Sequence, residues 1–126
     1  MRLYLAGPMT GLPDNNYPEF FLKAKALEEV GYQVSNPATI DDVHEKEVKG
    51  ECVYCRTERD HPWEWYVLRG LAMLSACDAI ALLPAWNRSA GTRVEVEFAK
   101  GMQIPIGSAF LFLDRYVSIQ NGGAWK

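Results

Sequence analysis

The segment that most limits the fold is Asp78-Ala-Ile-Ala-Leu-Leu-Pro84, an apolar run without the polar alternation of a half-exposed strand. Such a strand needs cover on both faces, as in parallel sheets flanked by helices on either side. The rest of the chain supplies matching pieces. Arg2 to Ala6 reads as a first strand stopped by Gly7-Pro8, and Tyr32 to Ser35 as a second closed by Asn36-Pro37. Asp14 to Tyr17 is polar turn material before Pro18. From Phe20 onward, Phe21, Ala24, Ala26, Leu27 and Val30 recur at helical spacing until Gly31. Trp63 to Ser75 repeats the pattern through Tyr66, Val67, Leu68, Leu71 and Leu74, and a further helix is expected from about Thr92 to Gly101. The stretches IPI at 104–106 and AFLFL at 109–113 read as late strands.

This strand–helix alternation predicts a three-layer α/β sandwich with a parallel sheet, flavodoxin- or Rossmann-like. The chain has 126 residues, 48% of them hydrophobic, which suits a single domain over 1–126. Residues 40–61 are charged and irregular, an insertion long enough to be functional or mobile. No stretch reaches the ~18 apolar residues of a membrane span. The apolar part of the start, Leu3 to Ala6, is shorter than a signal-peptide core, so the chain is expected in the cytoplasm. A net charge of −3 argues against a nucleic-acid-coating surface, which requires clustered Lys and Arg. A small anionic ligand stays compatible with it, because backbone amides at a helix start bind anions without net positive charge.

In open parallel sheets, ligands bind at the carboxyl ends of the strands, where the chain order reverses. Three loops are expected there: Gly7–Gly11, Asn36–Ala38 and Pro84–Gly91, all glycine, proline or small-polar in character. The last one leads into a helix carrying two glutamates. On that helix Val94, Phe98 and Met102 fall four apart and read as the core stripe. Glu97 lies between Arg93 and Lys100, so a surface ion pair accounts for it. Glu95 has no such partner, and its neighbours one turn away, Gly91 and Ala99, are too small to cover it. The positive end of the helix favours its ionised form. An ionised carboxylate beside a sugar can attack the anomeric carbon and form a glycosyl ester. The plain alternative is an acidic residue placed near a helix start by the dipole alone.

The stretches YLAGPMTGLPDNNYPEF, GYQVSNPA and CDAIALLPAWNRSAGTRVEVEFAKG resemble a family of small phage and bacterial proteins related to nucleoside 2-deoxyribosyltransferases and nucleoside 5′-monophosphate N-glycosidases. The resemblance covers residues 1–38 and about 63–106. It implies that Glu95 is the nucleophile on the deoxyribose C1′. It also implies that Ser89 contacts a 5′-phosphate, and that Gly7, Pro8, Met9 and Gly11 border the nucleotide. Relatives assemble as dimers or higher oligomers whose neighbouring chains complete the pocket, which implies a homo-oligomer here. One position departs from the pattern. Relatives carry an aspartate in a motif similar to W-x-x-Y-x-x-R-D-L, whereas this chain reads WEWYVLRGL, with Gly70 in that place. Three options follow: Asp60, Glu64 or another loop residue substitutes; a neighbouring subunit supplies the acid; or the protein binds nucleotide without turnover.

Other features each admit two readings. The pair Cys52 and Cys55, with His44 and His61 on either side, offers zinc ligands in a spacing that matches no common finger; exposed free thiols are the alternative. Cys77 reads as plain core. Trp63, Trp65, Tyr66 and Trp86 can stack on a base, and Trp86 stands out because it lies in the loop leading to Ser89, outside any helix stripe. The alternative for Tyr66 is inward packing beside Leu68. Tyr17 and Phe20 either cover the sugar or staple a helix entry. Gly91 belongs to the expected ligand loop. Asn87 and Arg88 can meet phosphate or solvent, and Asp78 reads as a cap. The resulting expectation is cleavage of the N-glycosidic bond in a (deoxy)nucleoside or its 5′-monophosphate, with no cofactor. A sequestering protein without turnover is the second reading, and a zinc-stabilised interaction protein the third.

Overall fold

The computed structural model describes residues 1–9, 11–39 and 63–120, with only the backbone described for Trp63 and residues 115–120. Its centre is a four-stranded sheet: β1 (Arg2–Ala6), β2 (Gln33–Ser35), β3 (Ala79–Leu82) and β4 (Ile106–Ser108). The strand order is β2-β1-β3-β4 and every pairing is parallel. Tyr4 stands opposite Ser35 on one side and Ile80 on the other. The winding therefore reverses between β1 and β3, as in doubly wound sheets of the flavodoxin order.

Helices cover both faces. Leu3, Leu5, Ala79, Ala81 and Leu83 point to a core shared with α1 (Tyr17–Glu29) and α4 (Ala109–Gln120), through Phe20, Ala24, Leu27, Ala109 and Phe112. The alternate residues Tyr4, Ala6, Ile80 and Leu82 face α2 (Trp63–Ser75) and α3 (Ala90–Gly101), through Leu74, Val96 and Ala99. The apolar run at 78–84 is thus buried on both sides, and all four residues of β3 are buried. This is the three-layer α/β sandwich expected from it. Tyr32 ties the first layer together: its hydroxyl donates to the Phe112 carbonyl at 2.9 Å, and the two rings meet edge to face at 6.0 Å.

Several local expectations change. AFLFL is not a strand but the first turns of α4, begun by Ser108, whose hydroxyl accepts from Leu111 N at 3.0 Å. A short apolar run has the same composition in a buried strand and a buried helix, and here the cap decides. The late strand is Ile106–Ser108 rather than 104–106. Helix α1 starts at Tyr17, and its inward stripe is Phe20, Ala24 and Leu27; Phe21 is 40% exposed. Leu68 is 66% exposed, so α2 packs inward without it. Val94 and Met102 are exposed, and the inward face of α3 is Thr92, Glu95, Val96 and Ala99. Among the described residues no helix is long and apolar enough to cross a membrane. The 40–61 insertion lies outside the described residues, with His44, Cys52, Cys55 and His61 of the zinc reading and Asp60, one candidate to replace the aspartate at Gly70.

Candidate active site

A cavity of about 220 Å³ opens at the carboxyl ends of β1 and β3, where the winding reverses. Each of the three expected loops reaches it: Gly7 and Met9 after β1, Pro37 after β2, Ser89 and Gly91 after β3. Local chemistry holds these loops in place. Asn36 begins the second with its Oδ1 accepting from Ala38 N at 3.0 Å, an Asx cap that turns the chain away from β2. Thr92 Oγ1 donates to the Gly7 carbonyl at 3.1 Å, joining the first loop to the start of α3. A side chain at residue 7 would meet Leu83 Cβ at 2.7 Å, so only glycine lets these two strand ends lie together.

Helix α3 begins with Ser89, whose Oγ accepts from Thr92 N at 3.2 Å. This cap satisfies one of the amides left over at a helix start. Two turns in, Glu95 points inward, only 8% exposed, and lines the cavity. The Tyr4 hydroxyl donates to Glu95 Oε2. The carboxylate is therefore not solitary, as the spacing along α3 implied; its partner comes from β1, far away in sequence. Beneath it lies Gly70 of α2. A methyl group there would meet Glu95 Oε2 at 2.6 Å and Tyr4 Oη at 2.9 Å. Tyr4, Gly70 and Glu95 thus form one packed unit.

The rim is built from two further elements. Asp14, Asn15 and Asn16 all adopt left-handed backbone angles, with φ of 51°, 52° and 60°. Asn and Asp tolerate this region better than other non-glycine residues, and three in a row form a tight left-handed turn. Asn16 Nδ2 donates to the Pro8 carbonyl at 2.9 Å, which fastens the turn to the first loop, while Asn15 lines the cavity. On α2, the Arg69 guanidinium lies 5.3 Å from the Trp65 ring centroid and 5.7 Å from that of Tyr66. Arg69 and Tyr66 both face the cavity.

The family described as Domain of unknown function (DUF4406) matches residues 1–108. The chain belongs to that family. No curated protein and no solved structure matches it. The DUF4406 match ends with the last residue of β4, so it contains all four described strands and every described cavity-lining residue, while α4 lies beyond it.

Within this DUF4406 domain the cavity brings together Gly7, Met9, Tyr17, Ser89, Gly91 and Glu95 of the expected site. Phe20 joins them from α1. Pro8 and Gly11 do not line it. Pro8 is occupied as the acceptor for Asn16, and Gly11, at φ 83°, serves an exposed turn in which Leu12 N bonds to the Met9 carbonyl at 3.2 Å. Trp86 is also elsewhere: its 3-10 turn (Trp86–Arg88) lays it against the cluster of Tyr4, Leu82 and Val96. Tyr66 faces the cavity, whereas its supposed packing partner Leu68 faces solvent. Reading by residue missed Tyr4, Asn15, Arg69 and Thr92. The period of β1 carries a signal for Tyr4, which must share a face with Ala6 and not with Leu3 and Leu5. The other three carry none, because each is a common residue in its own element.

Proposed function

We propose that this protein cleaves the N-glycosidic bond of a (deoxy)nucleoside or its 5′-monophosphate, with Glu95 as nucleophile. The observation that carries the proposal is the placement of Glu95: a buried carboxylate lining a cavity at the switch point of the sheet, oriented by the Tyr4 hydroxyl. A Glu95 oxygen attacks C1′ as the C1′–N bond breaks, and the bonding electrons leave with the base, which takes up a proton. Water or an acceptor base then attacks C1′ of the ester and releases the carboxylate. The Tyr4 bond fixes the attacking group in one rotamer and holds it for in-line approach, a contribution of positioning. Tyr17 and Phe20 line the same cavity, which supports a role for them in covering the sugar.

A second reading, ligand sequestration without turnover, is favoured by one specific observation. Glu95 is the sole carboxylate among the described lining residues, and the packing at Gly70 leaves no room for another beside it. Glycosidic cleavage ordinarily employs a second group as acid. Incubation with a panel of nucleosides, 2′-deoxynucleosides and their 5′-monophosphates, with free base followed by chromatography, separates the two. Base release that falls by about a thousandfold or more in Glu95→Gln supports the enzyme. Binding by both proteins with release by neither supports sequestration.

A further inference from the structure

We infer that the ligand of this cavity carries a fixed positive charge on the atom joined to the sugar: it is an N-glycoside of a quaternised heteroaromatic ring, of which a pyridinium nucleoside is the simplest form. The inference rests on the glycosidic reading above and takes the charge of the leaving group from the cavity walls. Glu95 presents a buried carboxylate, and Tyr17 and Phe20 add two aromatic side chains from α1, which lies across the sheet from α2 and α3. A carboxylate attracts a cation directly and aromatic faces attract it through their quadrupole, so this pairing favours a flat cation over its neutral counterpart. Attack at C1′ places the Glu95 oxygen about 3–3.5 Å from that carbon, which brings the attached ring nitrogen within about 5 Å of the carboxylate. Arg69 is the opposing charge on the wall. Its guanidinium lies 5.3 Å and 5.7 Å from the ring centroids of Trp65 and Tyr66 on α2, whose π faces offset part of that charge.

The chemistry of departure points the same way. The Tyr4 hydroxyl proton is directed at Glu95 Oε2, hence at the nucleophile and not at the departing base. On the α2 side, Gly70 packs so closely that even a methyl group would meet Oε2 at 2.6 Å, which leaves no room there for a side chain that could serve the base. A neutral base needs a proton as its C1′–N bond breaks. A quaternised ring needs none. As a Glu95 oxygen bonds to C1′, the C1′–N electron pair returns to the ring nitrogen, cancels its positive charge, and the ring leaves neutral. Water then attacks C1′, the ester C–O bond breaks with its electrons going to Glu95, and the surplus proton passes to solvent.

Two measurements on the full chain test this. In calorimetric titration, wild type should bind the cation 1-methylnicotinamide at least about tenfold tighter than its uncharged isostere 3-methylbenzamide, and Glu95→Gln should cut that preference to about threefold or less. In a chromatographic assay, wild type should release base from nicotinamide 2′-deoxyriboside at least about a hundredfold faster than from 2′-deoxyadenosine, because an acid supplied by the protein would level the two. Equal binding of the two probes, binding of neither, or a preference that persists in Glu95→Gln overturns the inference. So does base release from 2′-deoxyadenosine as fast as from the cationic substrate, an outcome that leaves the glycosidase standing. Glu95-dependent preference for the cation with base release from neither substrate upholds the ligand class and removes the glycosidase.

Discussion

Gly70 backs directly onto Glu95: a methyl group at residue 70 would lie 2.6 Å from Glu95 Oε2, well inside van der Waals contact. In an exposed helix interior, glycine to alanine stabilises by about 1 kcal/mol. Here the sign reverses. Overpacking of a filled site costs about 1–3 kcal/mol, and both Glu95 and Tyr4 would have to move. Gly70→Ala should therefore lower the denaturation midpoint, and Gly70→Asp should lower it further by bringing a second negative charge against the first. Chemical denaturation of the three proteins checks the order.

Tyr4→Phe removes the donor to Glu95 and leaves the ring in its place against Ala6, Ile80 and Val96. Loss of a buried hydrogen bond to a carboxylate costs about 1–3 kcal/mol. The variant should melt earlier. If Glu95 is the nucleophile, base release should fall about tenfold to a hundredfold while ligand affinity stays near the wild-type value, since the phenol acts on the nucleophile's position. Paired melting curves and kinetics provide the check.

The left-handed turn at 14–16 yields an ordered pair of substitutions. Asn15→Ala places a residue that lacks the Asn tolerance at φ 52° and should cost about 1 kcal/mol. Asn15→Gly adopts that angle freely and should be the more stable of the two variants. Both remove the amide from the cavity wall. Ligand affinity should accordingly fall in both, although the alanine variant loses more stability, and thermal shift with and without added nucleotide distinguishes the two effects.

Cys77 gives a pH prediction. Burial pushes its thiol above the usual range, against smaller opposing contributions from Ser35 and Arg2, and the thiol donates to the Met73 carbonyl at 3.4 Å. A raised value in the folded state means that the folded chain keeps a proton the unfolded chain gives up. The stabilisation is complete below the ordinary thiol value and is lost as pH climbs through the raised one. Relative to wild type, Cys77→Ala should lose less stability between neutral and alkaline pH. Site-resolved alkylation should show Cys77 reacting at least about a hundredfold more slowly in native protein than in denaturant.

How legible the molecule was depends on where hydrophobicity follows geometry. Strand β1 and helix α2 appear with the expected limits, and the 78–84 run gives away the parallel sheet, because in each case burial and apolar composition coincide. At α3 they part. Its inward face carries Thr92 and Glu95 because that face opens on a cavity, so a search for an apolar stripe selects Val94 and Met102, which face solvent. Glu95 still stands out because no basic residue is spaced to pair with it along its own helix. Its true partner, Tyr4, lies across the sheet, and no spacing rule along one helix reaches that far. Arg69 and Asn15 were hidden for a related reason: one lies on an ordinary amphipathic helix and the other in polar turn sequence, and only the assembled layers bring them to one place.

The hydroxyl of Thr92 holding the carbonyl of Gly7 has a kinetic consequence. It couples the exit of β1 to the start of α3, so the floor beneath an arriving molecule is already assembled. If a ligand binds there, its capture needs no folding of that floor, and access through the rim is what should limit the encounter rate.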